Sequence, residues 1–151
     1  LPAWLNFNTV TGDLTGTPTN AEVGTHNVTL RVNDGTVNTD SSFVITVNNI
    51  NDAPTVTNIY KAALTNATIT FTDSDFLSAF ADIENDALTK IKIISLPSNG
   101  TLFLSGVAVN AGDEINKASI INLSFVPNAA WNGTASFFWN GYGGSAVNIA
   151  G

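Results

Sequence analysis

The stretch Asn48-Asn49-Ile50-Asn51-Asp52-Ala53-Pro54 divides the sequence into two parts. On its left, residues 43–47 repeat with a period of two and are rich in β-branched side chains, which predicts a half-buried β-strand. On its right, Pro54 holds Ala53 in an extended conformation and removes a backbone donor, so strand pairing is interrupted there. A strand that ends in amide and carboxylate side chains, followed by proline and a new series of strands, is typical of a domain junction.

Length and composition restrict the class of protein. The 151 residues provide for one large domain or two domains of β-sandwich size. No window has a sustained helical period, so we expect an all-β fold. Only 11% of the residues are charged, the formal net charge is −7 and five residues are Lys or Arg, which argues against nucleic acid and anionic membrane as partners. The chain contains no cysteine, so it has no disulfide and no thiolate chemistry.

Alternation and turn residues predict the strands on both sides of the junction. In the first part, strands are predicted at residues 5–7, 26–32 and 43–47, with an Asp-Gly turn at Asn33-Asp34-Gly35 between the last two. In the second part, a short helix is predicted at residues 76–80, where apolar side chains recur at i, i+3 and i+4. Further strands are predicted at residues 55–57, 67–72, 90–94, 101–104, 107–109, 121–125 and 135–139.

The first part carries an ordered set of short motifs, which are Leu1-Pro2-Ala3-Trp4-Leu5, Thr11-Gly12, Gly16-Thr17-Pro18, Val23-Gly24-Thr25 and Val32-Asn33-Asp34-Gly35. In order and spacing this set resembles the putative-Ig and dystroglycan-type cadherin-like family over about residues 1–52. The resemblance implies an Ig-like Greek-key sandwich whose opening strands precede Leu1.

The second part resembles the tandem-repeat, cadherin-like domain of large bacterial RTX-type adhesins over about residues 54–145. The resemblance is carried by the motifs Phe71-Thr72-Asp73-Ser74-Asp75-Phe76, Asp82-Ile83-Glu84-Asn85-Asp86-Ala87-Leu88, Leu96-Pro97-Ser98-Asn99-Gly100-Thr101-Leu102, Phe125-Val126-Pro127 and Asn132-Gly133-Thr134-Ala135-Ser136-Phe137. Residues 49–54 are similar to the calcium-binding linker of cadherins, with Asn49 where the first Asp of that linker stands. Together the two resemblances imply tandem Greek-key β-sandwich domains at 1–51 and 52–151.

We expect both ends of this arrangement to be completed by neighbouring sequence or by another copy. The first half begins inside the pattern that it resembles, and the second half stops near Tyr142 before a closing strand is seen. The first domain and the last strand of the second are therefore expected to be incomplete, with edges that recruit other strands.

Carboxylates are concentrated after the junction. Asp82, Glu84 and Asp86 alternate in one loop, and Asp52 is expected to fold back near them, which favours a calcium site because Ca²⁺ takes oxygen ligands from loops. The alternative is a solvated turn. The metal-ligating candidates are Asp52, Asp82, Glu84, Asp86, Asp34 and Asn51. Asp34 is equally well explained as a turn residue, and Asp73 and Asp75 are better explained as helix caps than as ligands.

No catalytic constellation is visible in the sequence. The single histidine, His26, is in phase with the apolar residues of the strand at 26–32, and no nucleophile elbow is present, so we expect no enzyme activity. A surface on which sugar rings stack is an alternative role for Trp131, Trp139 and Tyr142. Trp139, however, falls on the core face, and only Trp131 is a candidate for an exposed position.

The sequence therefore predicts a structural or adhesive repeat of a large extracellular protein at a bacterial cell surface, made rigid by calcium at the linker. The expected partners are neighbouring repeats or copies of the same protein. A carbohydrate- or surface-binding module, with a cell-surface polysaccharide as partner, is the alternative.

Overall fold

The computed structural model describes residues 1–144 and the backbone of residues 146–147. It confirms the all-β class, with antiparallel sheets that are consistent with an Ig-like β-sandwich. The chain divides into two compact units, Leu1–Ile50 and Asn51–Gly151. None of the described helices is long and apolar enough to cross a membrane.

The first unit consists of two antiparallel pairs of strands. Strands β1 (Leu5–Phe7) and β2 (Leu14–Gly16) form the shorter pair, and a 3-10 turn at Asn20–Glu22 leads to the longer one. Strands β3 (Gly24–Asn33) and β4 (Asn38–Val47) pair over ten consecutive positions without a bulge. The predicted strands are confirmed, and β4 begins five residues earlier than its apolar alternation indicates because the polar residues before Phe43 also pair.

His26 lies on the apolar face of β3, as its phase predicts. Its ring meets the ring of Trp4 edge-on, with centroids 5.4 Å apart. Its Nε2 lies 2.5 Å from the carbonyl oxygen of Glu22, which accepts a hydrogen bond when the ring hydrogen is on Nε2. Val28, two residues further along β3, is fully buried. His26 is therefore a half-buried packing residue.

The described part of the second unit contains one short α-helix, one 3-10 helix at Lys117–Asn122 and the remaining strands. In chain order these are β5 (Thr55–Val56), β6 (Ile69–Thr70), α1 (Asp73–Leu77), β7 (Phe80–Ala81), β8 (Leu88–Ile93), β9 (Gly100–Leu104), β10 (Val107–Ala108), β11 (Glu114–Asn116), β12 (Leu123–Pro127), β13 (Trp139–Gly143) and β14 (Ala146–Val147). Two four-stranded antiparallel sheets result, with strand orders β10-β9-β12-β6 and β11-β8-β13-β14, while β5 pairs with β7.

The hydrophobic core of the second unit lies between these two sheets. Alternate residues of β8, Ile91 and Ile93, are fully buried, as is Leu123 on the opposite sheet. Phe76 of α1 is also fully buried, and its ring meets that of Trp139 edge-on at 4.9 Å. Trp139 is therefore a core residue, as predicted.

The short helix lies three residues earlier than predicted. The apolar spacing at 76–80 indicated the start, but α1 begins at Asp73 and ends at Leu77. Thr72 caps it by accepting a hydrogen bond from the Asp75 N–H, and the Asp75 side chain accepts from the Thr72 N–H in return. This capping box fixes the start of the helix more strongly than the apolar period does.

Four predicted strands have other bounds in the structure. The strand predicted at 67–72 is confined to Ile69–Thr70, and the one predicted at 90–94 runs over Leu88–Ile93. The predicted strand 135–139 is wrong for its first four residues, because the ladder with β8 begins only at Trp139. The predicted strand 121–125 starts two residues too early, since residues 117–122 form a 3-10 helix. Sequence alternation also misses β2, β7, β11 and β14, which are two or three residues long; β14 follows Gly143-Gly144, where no closing strand was seen in the sequence.

Candidate functional site

The loop at residues 82–86 is organised around one oxygen of its first carboxylate. Oδ1 of Asp82 accepts hydrogen bonds from the backbone N–H of Glu84 at 3.0 Å and of Asp86 at 3.1 Å. Asn85 has a φ of +63°, a left-handed conformation that asparagine tolerates better than most residues. The sequence therefore folds this acidic stretch into a tight loop rather than an extended segment.

The second oxygen of Asp82 is different. Oδ2 is buried and has no hydrogen-bond partner among the described residues. A Cβ added to Gly143, at the end of β13, would lie 3.0 Å from it. An unpaired carboxylate oxygen therefore faces the backbone where β13 ends.

Asp86 is directed to the same place. A Cβ at Gly144 would overlap with its Oδ2, and one at Gly143 would lie 3.4 Å from its Cβ. Asp82 and Asp86 also line an open surface cavity of about 390 Å³ beside Phe80 and Leu77. The two carboxylates are thus gathered around the Gly143-Gly144 backbone, which has no side chain to keep them away.

The linker residues adjoin this loop. The backbone N–H of Asp52 donates to Oε2 of Glu84 at 3.3 Å, and Nδ2 of Asn51 donates to the carbonyl oxygen of Asp52 at 3.1 Å. Asp52 and Glu84 both make further interactions. Within the second unit, the structure therefore brings the linker segment to the acidic loop.

Asp34, the remaining candidate ligand, lies in the first unit and organises the β3–β4 loop. Its Oδ1 accepts from the Val37 N–H at 2.8 Å, the Thr36 N–H at 2.9 Å and the Thr36 hydroxyl at 2.8 Å. These hydrogen bonds, the one from Val37 foremost, lower the pKa of Asp34 to about 2. The geometry supports the turn role.

Asp73 and Asp75 occupy the first turn of α1, as expected for capping residues. Oδ2 of Asp75 accepts from Thr72 and forms an ion pair with Lys61. Burial raises the pKa of this carboxyl, but the hydrogen bonds from Lys61 and Thr72 lower it overall. Its oxygen is thus engaged in holding the helix.

The acidic loop meets some, but not all, of the requirements of a cation site. Across residues 1–144, no three His, Asp or Glu side chains come together closely enough to hold a metal ion. Two features of the loop nevertheless suit a hard cation, because Ca²⁺ accepts carboxylate, amide and backbone oxygens together. One is the buried, unpaired Oδ2 of Asp82, and the other is the adjacent carboxylate of Asp86.

A second polar cluster lies on the sheet β11-β8-β13 and was not predicted. Glu114 accepts from Lys90 Nζ at 2.6 Å and from the Tyr142 hydroxyl at 2.5 Å. The Lys90 ammonium lies 4.3 Å from the centre of the Tyr142 ring. The hydrogen bond from Lys90, followed by the one from Tyr142, lowers the pKa of Glu114. The hydrogen bond to Glu114 in turn raises the pKa of Tyr142. The alternation of Lys90 and Lys92 along β8 is the sequence signal that locates this face.

Trp131 is half-buried. A Cβ at Gly133 would lie 3.1 Å from its ring, so the indole lies against the backbone of the Asn132-Gly133 turn. The backbone N–H of Trp131 donates to the carbonyl oxygen of Asn128 at 3.1 Å. Through these contacts Trp131 packs as part of the turn.

The comparisons with known proteins bear on the first unit. Residues 1–48, just under a third of the chain, match the family model described as "Putative Ig domain". Comparisons with curated proteins and with solved structures give no match. The match and the antiparallel strands agree, and they support an Ig-like repeat at residues 1–48 of an all-β chain.

Proposed function

We propose that the chain is a structural repeat of an extracellular bacterial surface protein, and that calcium at the 82–86 loop holds its linker in place. The Ig-like match and the all-β fold support the repeat. A non-catalytic role is part of the proposal, since His26 is engaged with the Glu22 carbonyl oxygen and with Trp4.

The observation that carries the calcium proposal is the buried Oδ2 of Asp82, which lacks a hydrogen-bond partner in the described part of the chain. A buried carboxylate oxygen is costly without a partner. A cation next to Asp82 and Asp86 would supply the missing positive charge and reduce the repulsion between the two carboxylates.

The linker is coupled to this site through backbone and side chain together. Because the Asp52 N–H donates to Glu84, any restraint on the Glu84 side chain also restrains the linker at Asp52. Asp52 and Asn51 contribute further oxygens within the same segment. In a repeat array, a fixed linker would limit the directions in which one domain can leave the next.

A calcium titration tests this proposal. The full chain should unfold at a higher temperature in millimolar Ca²⁺ than in chelator, because a ligand that binds only the native state adds RT ln(1 + [L]/Kd). The gain should fall in Asp86→Ala and in Asp52→Ala. Asp113→Ala is the matched control, since Asp113 lies in the same unit but caps the turn at Asn110, and its gain should equal that of the wild type.

Differential scanning calorimetry gives the readout, and Mg²⁺ at the same concentration controls for general screening. An identical melting temperature in Ca²⁺ and in chelator would contradict the calcium site. A gain that survives both Asp86→Ala and Asp52→Ala would place the ion elsewhere.

A further inference from the structure

Three rows of side chains cross the outer face of the sheet β11-β8-β13. Ile91 and Ile93 of β8 point into the core, so the residues that alternate with them face away from it. Residues paired directly across strands share a face. From one end of the face to the other, the rows are Ile94–Phe138, then Glu114–Lys92–Asn140, then Asn116–Lys90–Tyr142.

The first row is apolar and open to solvent. Phe138 is 68% exposed and Ile94 is 40% exposed. The Ile94 N–H donates to the carbonyl oxygen of Phe138 at 2.8 Å, and the Phe138 N–H donates to Oγ of Ser95 at 2.9 Å. The aromatic ring is therefore presented from backbone that is held on a sheet rather than from a free loop.

The middle row contains a polar group without a partner. Asn140 is only 6% exposed, and its Oδ1 is buried with no hydrogen-bond partner in residues 1–144. Most buried amide oxygens in proteins accept a hydrogen bond, and one that does not destabilises the fold. Because this oxygen is not exposed, a ligand hydroxyl donates to it only after the side chains that cover it move aside, and that hydrogen bond would then remove the cost.

The outer face carries one positive charge in excess, because Lys90 and Lys92 share it with a single carboxylate, that of Glu114. Lys90 is paired with Glu114, whose other oxygen accepts from Tyr142. Lys92 lies between Asn140 and Glu114 in the row; it forms no direct ion pair within the described residues, although its charge helps to lower the pKa of Glu114. In a chain of net charge −7, this is a local site of attraction for an anion.

We propose that this face binds an acidic polysaccharide built from uronic acid sugars. The C–H face of a sugar ring stacks on Phe138, a sugar hydroxyl donates to Oδ1 of Asn140, and a uronate carboxylate accepts from Nζ of Lys92. A sugar chain meets these requirements because it offers flat apolar rings, hydroxyl donors and carboxylates at short repeats. The site goes beyond a spacer role and is separate from the acidic loop.

Isothermal titration of the full chain with short oligogalacturonates tests the proposal, with cello-oligosaccharides as the neutral comparison. Chelator is present throughout, so the result does not depend on the proposed calcium site. We expect the acidic sugar to bind and the neutral sugar to bind at least about tenfold more weakly, because the charge-assisted contact to Lys92 is missing. Binding of the acidic sugar should weaken as salt rises.

Matched variants locate the site. Lys92→Met should weaken binding about tenfold, whereas Lys117→Met, which makes the same charge change on the 3-10 helix, should not. Phe138→Ser should weaken binding, while Ile121→Ser, at a similarly exposed apolar position, should have no effect. Asn140→Leu removes the buried amide and should weaken binding without lowering the melting temperature.

Three results would overturn the proposal. These are no heat with any oligogalacturonate, equal loss of affinity in Lys92→Met and Lys117→Met, or equal affinity for acidic and neutral sugars. Sedimentation analysis tests whether a second copy of the chain, rather than a sugar, occupies this face. Self-association that Phe138→Ser abolishes would assign the face to that second copy.

Discussion

At the scale of single residues, carboxylate oxygens of the chain are used in two ways. Oδ1 of Asp34 and Oδ1 of Asp82 each accept more than one hydrogen bond from the loop that follows them. Oδ2 of Asp82 accepts none within the described residues. Residue type and spacing predict that such carboxylates lie in loops. Which of the two oxygens accepts the hydrogen bonds, however, depends on the folded backbone.

The low pKa of Asp34 leads to a pH prediction. Its folded-state pKa of about 2 lies below the value of about 3.9 for an unfolded aspartate, so this group stabilises the fold at pH above about 4. That contribution is lost as the pH falls from about 4 to about 2. Asp34→Asn should therefore flatten the pH dependence of unfolding in that window.

Carbon-detected NMR titration of the Asp34 carboxyl measures the same quantity directly. We expect a midpoint near 2 because three hydrogen bonds from Val37 and Thr36 favour the ionised form. A midpoint at the ordinary aspartate value would mean that these hydrogen bonds are not maintained in solution.

At the scale of elements, strand β13 shows where alternation is a good guide and where it is not. Ala135, Phe137 and Trp139 are all directed to the core, as the period of two predicts. Hydrogen bonding to β8, however, runs over Trp139–Gly143, a glycine-rich stretch with low strand propensity. The alternation of side chains predicts which face is buried. The pairing, however, depends on how far β8 extends, and β8 is distant in the sequence.

The turn after β13 gives a prediction at this scale. Gly144 has a φ of +51°, and a Cβ there would overlap with the Asp86 carboxylate. Gly144→Ala should therefore lower the free energy of unfolding by more than the roughly 1 kcal/mol that a left-handed non-glycine residue costs alone. Gly112→Ala is the control, since Gly112 has a φ of +96° but open space around its Cβ position.

A double-mutant cycle separates the two causes. In the Asp86→Ala background the overlap is removed, so Gly144→Ala should then cost about as much as Gly112→Ala does. Denaturant unfolding supplies the four free energies. Additive effects of Gly144→Ala and Asp86→Ala would show that the acidic loop does not lie against this turn.

At the scale of the whole molecule, buried apolar residues are distributed unequally. Val28 is the one fully buried apolar residue described in the first unit, whereas thirteen buried residues form the core of the second. The sequence predicts the all-β class and most strands, because patterning is local. It does not reveal this inequality, because the depth of burial depends on which sheets face each other.

Hydrogen exchange of the full chain tests the consequence. Backbone amides of β3 should exchange sooner than those of β8, since local opening needs less energy where few apolar contacts are lost. Ile91→Ala should speed exchange in β8, because truncating a fully buried isoleucine costs about 2–5 kcal/mol. Equal protection of β3 and β8 in the wild type would contradict this order.

The pairing of β3 and β4 has a consequence for a chain under tension. The two strands are joined by the loop at 34–37, so Gly24 and Val47, where the chain enters and leaves the pair, lie side by side at the other end. A pulling force along the polypeptide would therefore separate the strands from that end, and the interstrand hydrogen bonds would break one after another rather than together. Strands loaded lengthwise resist with many bonds at once, whereas this pair would give way at low force and lengthen the chain by steps.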